Sequence, residues 1–143
     1  MDWHVGIDGR NVCFIEDDAS RKILVGGEFD HSYEKYSIAL FKRLVDEYWS
    51  IRPLGVLIID HGSQFGAHRI DDKGIWKSEF KSTVESYNTK IICARVNHPQ
   101  TNGKIERLFY TYDTYRHEFS SFEEFVFWYN NIRPHESLGT KKC

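Results

Sequence analysis

Hydrophobic positions at the start of the chain recur every second residue. Trp3, Val5 and Ile7 alternate with Asp2, His4 and Gly6, the pattern of a strand with one buried face. Asp8-Gly9 follows, a dipeptide suited to a hairpin turn. Asn11 to Ile15 resumes a strand, Asp17 to Arg21 supplies a second turn, and Lys22 to Phe29, with Ile23, Leu24 and Val25, reads as a third strand. Strands in succession joined by short turns predict an antiparallel meander. The period then changes. Tyr36, Leu40, Leu44 and Tyr48 are four apart, with Ala39 and Val45 beside them, so His31 to Trp49 is predicted as an amphipathic helix. Val56 to Ile59 is a short apolar run suited to a strand covered on both faces, and Asp60 ends it. Lys73 to Tyr87 carries a weaker helical pattern, Thr89 to Val96 a fifth strand, and Asn97 to Gly103 a loop. Lys104 to Phe119 and Phe122 to Ile132 read as two further helices, the second stopped by Arg133-Pro134.

This order of elements predicts an α/β fold, a mixed five-stranded sheet flanked by helices, which is the order of the ribonuclease-H-like fold. The length, 143 residues, suits one domain. No apolar run is long enough to span a membrane, and no basic-then-apolar leader opens the chain. Cys13, Cys93 and Cys143 are odd in number and lack metal-site spacing. Cys13 and Cys93 read as small core residues, and a reducing cytoplasm is expected. Net charge is −2, yet residues 1–60 hold 7 Lys/Arg against 11 Asp/Glu, while residues 61–143 hold 12 against 10. An acidic excess in the first part is what a cation-holding site would produce, so the overall charge does not exclude a nucleic-acid partner.

Three segments carry candidate chemistry. Asp2 lies in the first strand. Asp60 lies where the buried fourth strand ends, followed by His61-Gly62-Ser63-Gln64-Phe65. Glu106 lies in Asn97-His98-Pro99-Gln100-Thr101-Asn102-Gly103-Lys104-Ile105-Glu106-Arg107. In open α/β sheets, sites form outside the carboxyl ends of the strands. Carboxylates gathered there repel one another unless cations lie between them, and all-oxygen donors select Mg²⁺ or Mn²⁺.

The segments resemble the acidic triad of the retroviral-integrase-like core found in insertion-sequence transposases. "DHGSQF" looks like the second-aspartate motif, and "HPQTNGKIER" like the glutamate motif. "DDASR" at Asp17 to Arg21 resembles the family's turn after its second strand. "FVFWYNNIRPHESLG" at Phe125 to Gly139 resembles its closing segment. Spacings of 57 residues between Asp2 and Asp60, and 45 between Asp60 and Glu106, are similar to the family's. His4 departs from it, standing where many members have threonine. The resemblance implies a transposase or integrase catalytic core over residues 1–143 that cleaves DNA and transfers strands. Asp2, Asp60 and Glu106 would hold two Mg²⁺ or Mn²⁺ ions. Ser63, Gln64, Asn102, Lys104 and Arg107 would contact DNA. The partners implied are mobile-element ends, target DNA and further copies of the chain, with no membrane. Full-length members carry helix-turn-helix segments before the core. None stands ahead of Asp2 here, so a shortened first strand and weak end recognition are expected.

Other readings stand beside this one. Asp17 and Asp18 rival Asp2, though turn hydrogen bonding is the preferred reading of both. The scattered histidines lack zinc spacing. His98 either orients a phosphate or caps a loop, and His135 has no assigned role. Two functional alternatives remain open: a nuclease of the same fold that cuts without joining, and a non-catalytic DNA-binding or assembly remnant of a mobile element.

Overall fold

The computed structural model describes residues 1–59, 62–66, 72–93 and 99–133. Strands β1 (Asp2–Val5), β2 (Asn11–Glu16) and β3 (Ile23–Phe29) form an antiparallel meander, with Asp2 opposite Phe14 and Asn11 opposite Phe29. Gly9, at φ +88°, makes the first turn, a conformation open to glycine. Helix α1 (Glu34–Tyr48) follows, then β4 (Val56–Ile59), a one-turn 3₁₀ segment at Ser63–Phe65, α2 (Glu79–Ser86) and β5 (Lys90–Cys93). Helices α3 (Pro99–Tyr115) and α4 (Phe122–Asn131) complete the described chain.

The five described strands form two hydrogen-bonded sheets, the meander and a parallel β4–β5 pair, where one mixed sheet was expected. A hydrogen bond from the Met1 amine to the Ile58 carbonyl, at 2.8 Å, bridges the two. The chain therefore lays β1 beside β4, but among the described residues ladder pairing between them does not develop.

Alternation along β2 divides the core. Cys13 and Ile15 face α1 and α2 in a cluster with Phe41, Leu44, Leu57, Phe65 and Phe80. Val12 and Phe14 face α3 and α4, in a cluster with Leu108, Phe109, Tyr112 and Phe125. The strands are thus sandwiched between two helical layers. Gly26 permits the second contact, since a Cβ there would lie 2.9 Å from Phe14 and 3.0 Å from Phe122. Cys13 is wholly buried, and burial pushes its thiol far up, so it is a core residue as expected. The Cys93 side chain and Cys143 lie outside the described residues.

Several boundaries differ from the sequence pattern, each for a local reason. Helix α2 begins at its Ser78 cap, which accepts from the Lys81 amide. Gly74 at φ +79° turns the chain before it, so residues 73–77 are not helical. Helix α3 begins at Pro99, inside the expected loop. Proline is pre-set for a first helical turn, whereas Gly103, a poor helix former, had marked the stretch as loop. In β1 only Trp3 is buried. Val5 is 63% exposed and Ile7 82% exposed; the strand ends at Val5, and Ile7 already lies in the turn, its amide donating to Asp113 of α3. Residues 94–98 and 134–143 lie outside the described residues, and with them the end of the fifth strand, His98, His135 and the closing "PHESLG".

Candidate active site

β1, the end of β4 and the first half of α3 meet at a cleft of about 160 Å³. Its lining includes Asp2, Glu16, Asp17 and Asp18, together with Ile59 and Ile105. Ile59 immediately precedes Asp60, and Ile105 immediately precedes Glu106. The cleft is thus lined by Asp2 and by the residues just before Asp60 and Glu106. Asp2 is half-buried, with its Oδ1 accepting from the Trp3 amide at 2.8 Å. Glu106 is exposed on the second turn of α3, between buried Ile105 and Leu108. Asp60 and His61 lie outside the described residues. Among the described residues, no group of three or more His, Cys, Asp or Glu side chains is gathered to hold a metal ion.

The rivals to Asp2 are otherwise engaged. Asp17 Oδ2 accepts from the Ser20 amide at 2.9 Å, and hydrogen bonding from Ser20 holds its carboxyl below the usual range. Arg21, at φ 65°, closes that turn. Asp18 does more than form a turn. Its carboxylate pairs with Lys104 Nζ at 3.0 Å, and its carbonyl accepts from the same ammonium at 3.3 Å. Lys104, expected at DNA, thereby ties α3 to the β2–β3 turn. Arg107 is exposed, and the backbone of Asn102 is helical rather than loop.

Ser63 is exposed in the 3₁₀ turn, and the Gln64 side chain folds back over Gly62. That turn is fixed from beneath. The Trp3 indole donates to Ser37 Oγ at 2.8 Å, and Ser37 Oγ donates to the Gln64 carbonyl at 2.7 Å. Ser37 is fully buried, so the residue after Asp2 and the turn after Asp60 hang on one hydroxyl. Ser37→Ala leaves an indole donor and a carbonyl without their partner. Its expected cost is roughly 1–3 kcal/mol per unsatisfied group, read from urea midpoints, with faster hydrogen exchange at residues 62–66.

Glu16 was not singled out by sequence, although a carboxylate directly after four apolar residues marks it. Burial pushes its carboxyl up to about 7, against smaller opposing effects of Arg21, the Tyr129 hydroxyl at 3.4 Å and the Met1 amine. Asp2 and Glu16 line the cleft as half-buried oxygen donors, the ligand type that suits a hard divalent cation. The raised value also fixes a pH dependence without metal. Below the ordinary carboxylate pKa of 4.5 both folded and unfolded chains hold the proton, and nothing is lost. As pH rises towards 7 the unfolded chain ionises first and stability falls, by at most about 3 kcal/mol. In chelator, urea midpoints are expected to drop across this window, and Glu16→Gln is expected to flatten that part of the profile. A wild-type profile flat from pH 4.5 to 7 would contradict the assignment.

Residues 87–142 match the protein family described as integrase core domain. No curated protein matches the chain. Among solved structures, the catalytic core domain of BIV integrase superposes with a TM-score of 0.69 at 13% sequence identity, over 95% of this chain and 86% of that one. The α/β fold is thus that of an integrase catalytic core, and the family match covers the glutamate motif and the closing segment. The resemblance to an integrase-like core expected from the sequence is supported by this fold and by the family match over residues 87–142. No described helix is long and apolar enough to cross a membrane.

Proposed function

We propose that the chain is the catalytic core of a DDE-type transposase or integrase, a polynucleotidyl transferase that cleaves DNA and joins the resulting 3′ end to a second strand. The observation that carries this reading is the cleft, where Asp2 meets the residues immediately before Asp60 and Glu106. Asp2, Asp60 and Glu106 would hold Mg²⁺ or Mn²⁺, which when bound supply activation of the attacking oxygen and stabilisation of the leaving one.

The protein's own residues position the substrate. β1 fixes Asp2 through its pairing with Phe14. The buried face of α3 leaves Glu106 exposed, one residue beyond Ile105 of the cleft lining. Lys104, now on Asp18, and exposed Arg107 lie on the helix that a phosphodiester strand would follow. Exchange of Lys104 from carboxylate to phosphate would seat the backbone, an electrostatic contact weakened by salt. Ser63, Gln64 and Asn102 are proposed to contact the DNA from the facing turn and the first turn of α3. Joining two ends calls for more than one copy of the chain, so a homo-oligomer on DNA is part of the proposal.

The test is an assay with labelled oligonucleotides in Mn²⁺. Nicked and joined products are expected. Nicking without joined product would assign a nuclease. No metal-dependent product of either kind would assign a DNA-binding remnant and overturn the proposal.

A further inference from the structure

From Trp3, beside Asp2, a line of aromatic rings runs to the surface. Trp3 and Phe29 have centroids 5.4 Å apart, Phe29 and Tyr36 4.5 Å, Tyr36 and Tyr33 5.9 Å, and Tyr33 and His31 4.9 Å. The last three pairs are stacked, with interplanar angles of 17°, 18° and 21°. Lys35 Nζ lies 5.5 Å from the Tyr33 ring and 5.2 Å from that of Tyr36. Phe29 and Tyr36 pack against the core, which accounts for the inner rings. It does not account for the outer two. His31 is exposed, and Tyr33 is 49% exposed. Tyr33 occupies the N-cap of α1 without making a side-chain cap bond, at a position where Ser, Thr, Asp or Asn would stabilise the helix.

Exposed aromatic rings are platforms on which proteins stack unpaired bases, and this stack ends in solvent at His31 and Tyr33. Its inner end, Trp3, follows Asp2 of the cleft in sequence and is tied through Ser37 to the Gln64 carbonyl of the 3₁₀ turn. We propose that the His31–Tyr33 end of this ladder stacks an unpaired nucleobase of the DNA a few nucleotides from the reacting phosphate, with Lys35 meeting the adjoining backbone. The inference rests on the polynucleotide-transfer reading and adds to it a site for single-stranded DNA. Asp30 and Glu34 flank the patch, and Glu34 Oε2 accepts from the Phe80 amide at 2.9 Å. With acidic neighbours and one nearby lysine, stacking rather than phosphate attraction holds the base. Its salt dependence is correspondingly shallow, about 0.7 log units per log of salt for one phosphate.

The test uses the full chain and fluorescence anisotropy on three probes: an oligodeoxyadenylate of about 12 nucleotides, the same strand with abasic sites, and its intact duplex. The base-bearing single strand is expected to bind tightest. Tyr33→Ala and His31→Ala are each expected to weaken it by roughly tenfold, the scale of one lost base stack, with little change on duplex, while Tyr33→Phe retains binding. His31 precedes α1, so His31→Ala and Tyr33→Phe decide the question if Tyr33→Ala does not fold. Equal affinity for the abasic strand, equal losses on duplex, or unchanged binding in His31→Ala overturns the stacking site. If Glu106-dependent nicking persists in that case, the catalytic reading stands alone. Neither DNA binding nor nicking by the wild-type chain overturns both.

Discussion

Glu106→Gln is expected to lower Mn²⁺-dependent nicking and strand transfer by roughly a thousandfold or more. The substitution keeps the size of the side chain and removes one charged oxygen ligand. Metal stabilisation of a phosphoryl transition state is worth several kcal/mol, and each 1.4 kcal/mol is about tenfold in rate. The fold is expected to survive. Glu106 is exposed, and α3 is held by Ile105, Leu108 and Phe109 on its other face; Gln and Glu have similar helix propensities. The measurement is product formation by the purified variant beside wild type, with thermal melts to show that both are folded. A folded variant that nicks at the wild-type rate would remove Glu106 from the chemistry.

The integrase-like fold was readable because the order of elements and motifs survives where local pattern fails. The β1 alternation named Val5 and Ile7 as inward residues, yet both are exposed. Period alone does not say where a strand ends, and Ile7 already lies in the turn that follows β1. Gly103 obscured the start of α3, whose backbone is fixed by Pro99 and by packing from Ile105 onward rather than by propensity. The Asp18–Lys104 pair joins residues 86 apart, and no local rule links a turn carboxylate to a distant helix. Glu16 escaped notice for a related reason. A single charged residue ending a strand ordinarily faces water, and only the fold shows that α4, through Tyr129, closes over it.

The split between the two core clusters was legible in kind but not in membership. Four consecutive apolar residues in β2, Val12 to Ile15, are all buried, which requires helices on both faces. Which helix takes which face is set by the packing. α1 and α2 pack on one side, α3 and α4 on the other. Glu28 on β3 shows how the second layer is locked. It takes two Arg116 nitrogens, at 2.8 and 3.0 Å, and the Tyr112 hydroxyl. Burial alone would raise its carboxyl, but these partners outweigh it and hold it below the usual range.

Phe14→Ala is expected to cost about 3–5 kcal/mol, the range for removing a fully buried aromatic ring. Phe14 is 0% exposed and touches both helices of the second cluster. Its ring centroid lies 6.0 Å from that of Phe109, 5.8 Å from Tyr112, 5.7 Å from Phe122 and 6.4 Å from Phe125. The glycine beside it, Gly26, offers no side chain to refill the void. Against a total stability of roughly 5–15 kcal/mol for a domain, that loss lowers the melting temperature by about 10–20 °C at a few degrees per kcal/mol. Activity is expected to fall as well, even below the melting transition. Asp2 pairs directly opposite Phe14, and the same ring supports Phe109 and Tyr112 of the helix that carries Glu106. A displacement of about 1 Å in a catalytic group can cost on the order of a hundredfold in rate. Phe14→Leu fills more of the void and is expected to recover much of both losses. Phe127→Ala, at a 60% exposed position of α4, is expected to change stability by less than about 0.5 kcal/mol. Thermal melts by circular dichroism, paired with nicking assays at a temperature where all variants are folded, separate the two effects. A Phe14→Ala protein that melts with wild type would show that the α3–α4 layer does not hold the sheet through this ring. One that melts early but nicks normally would detach the position of Asp2 from that layer.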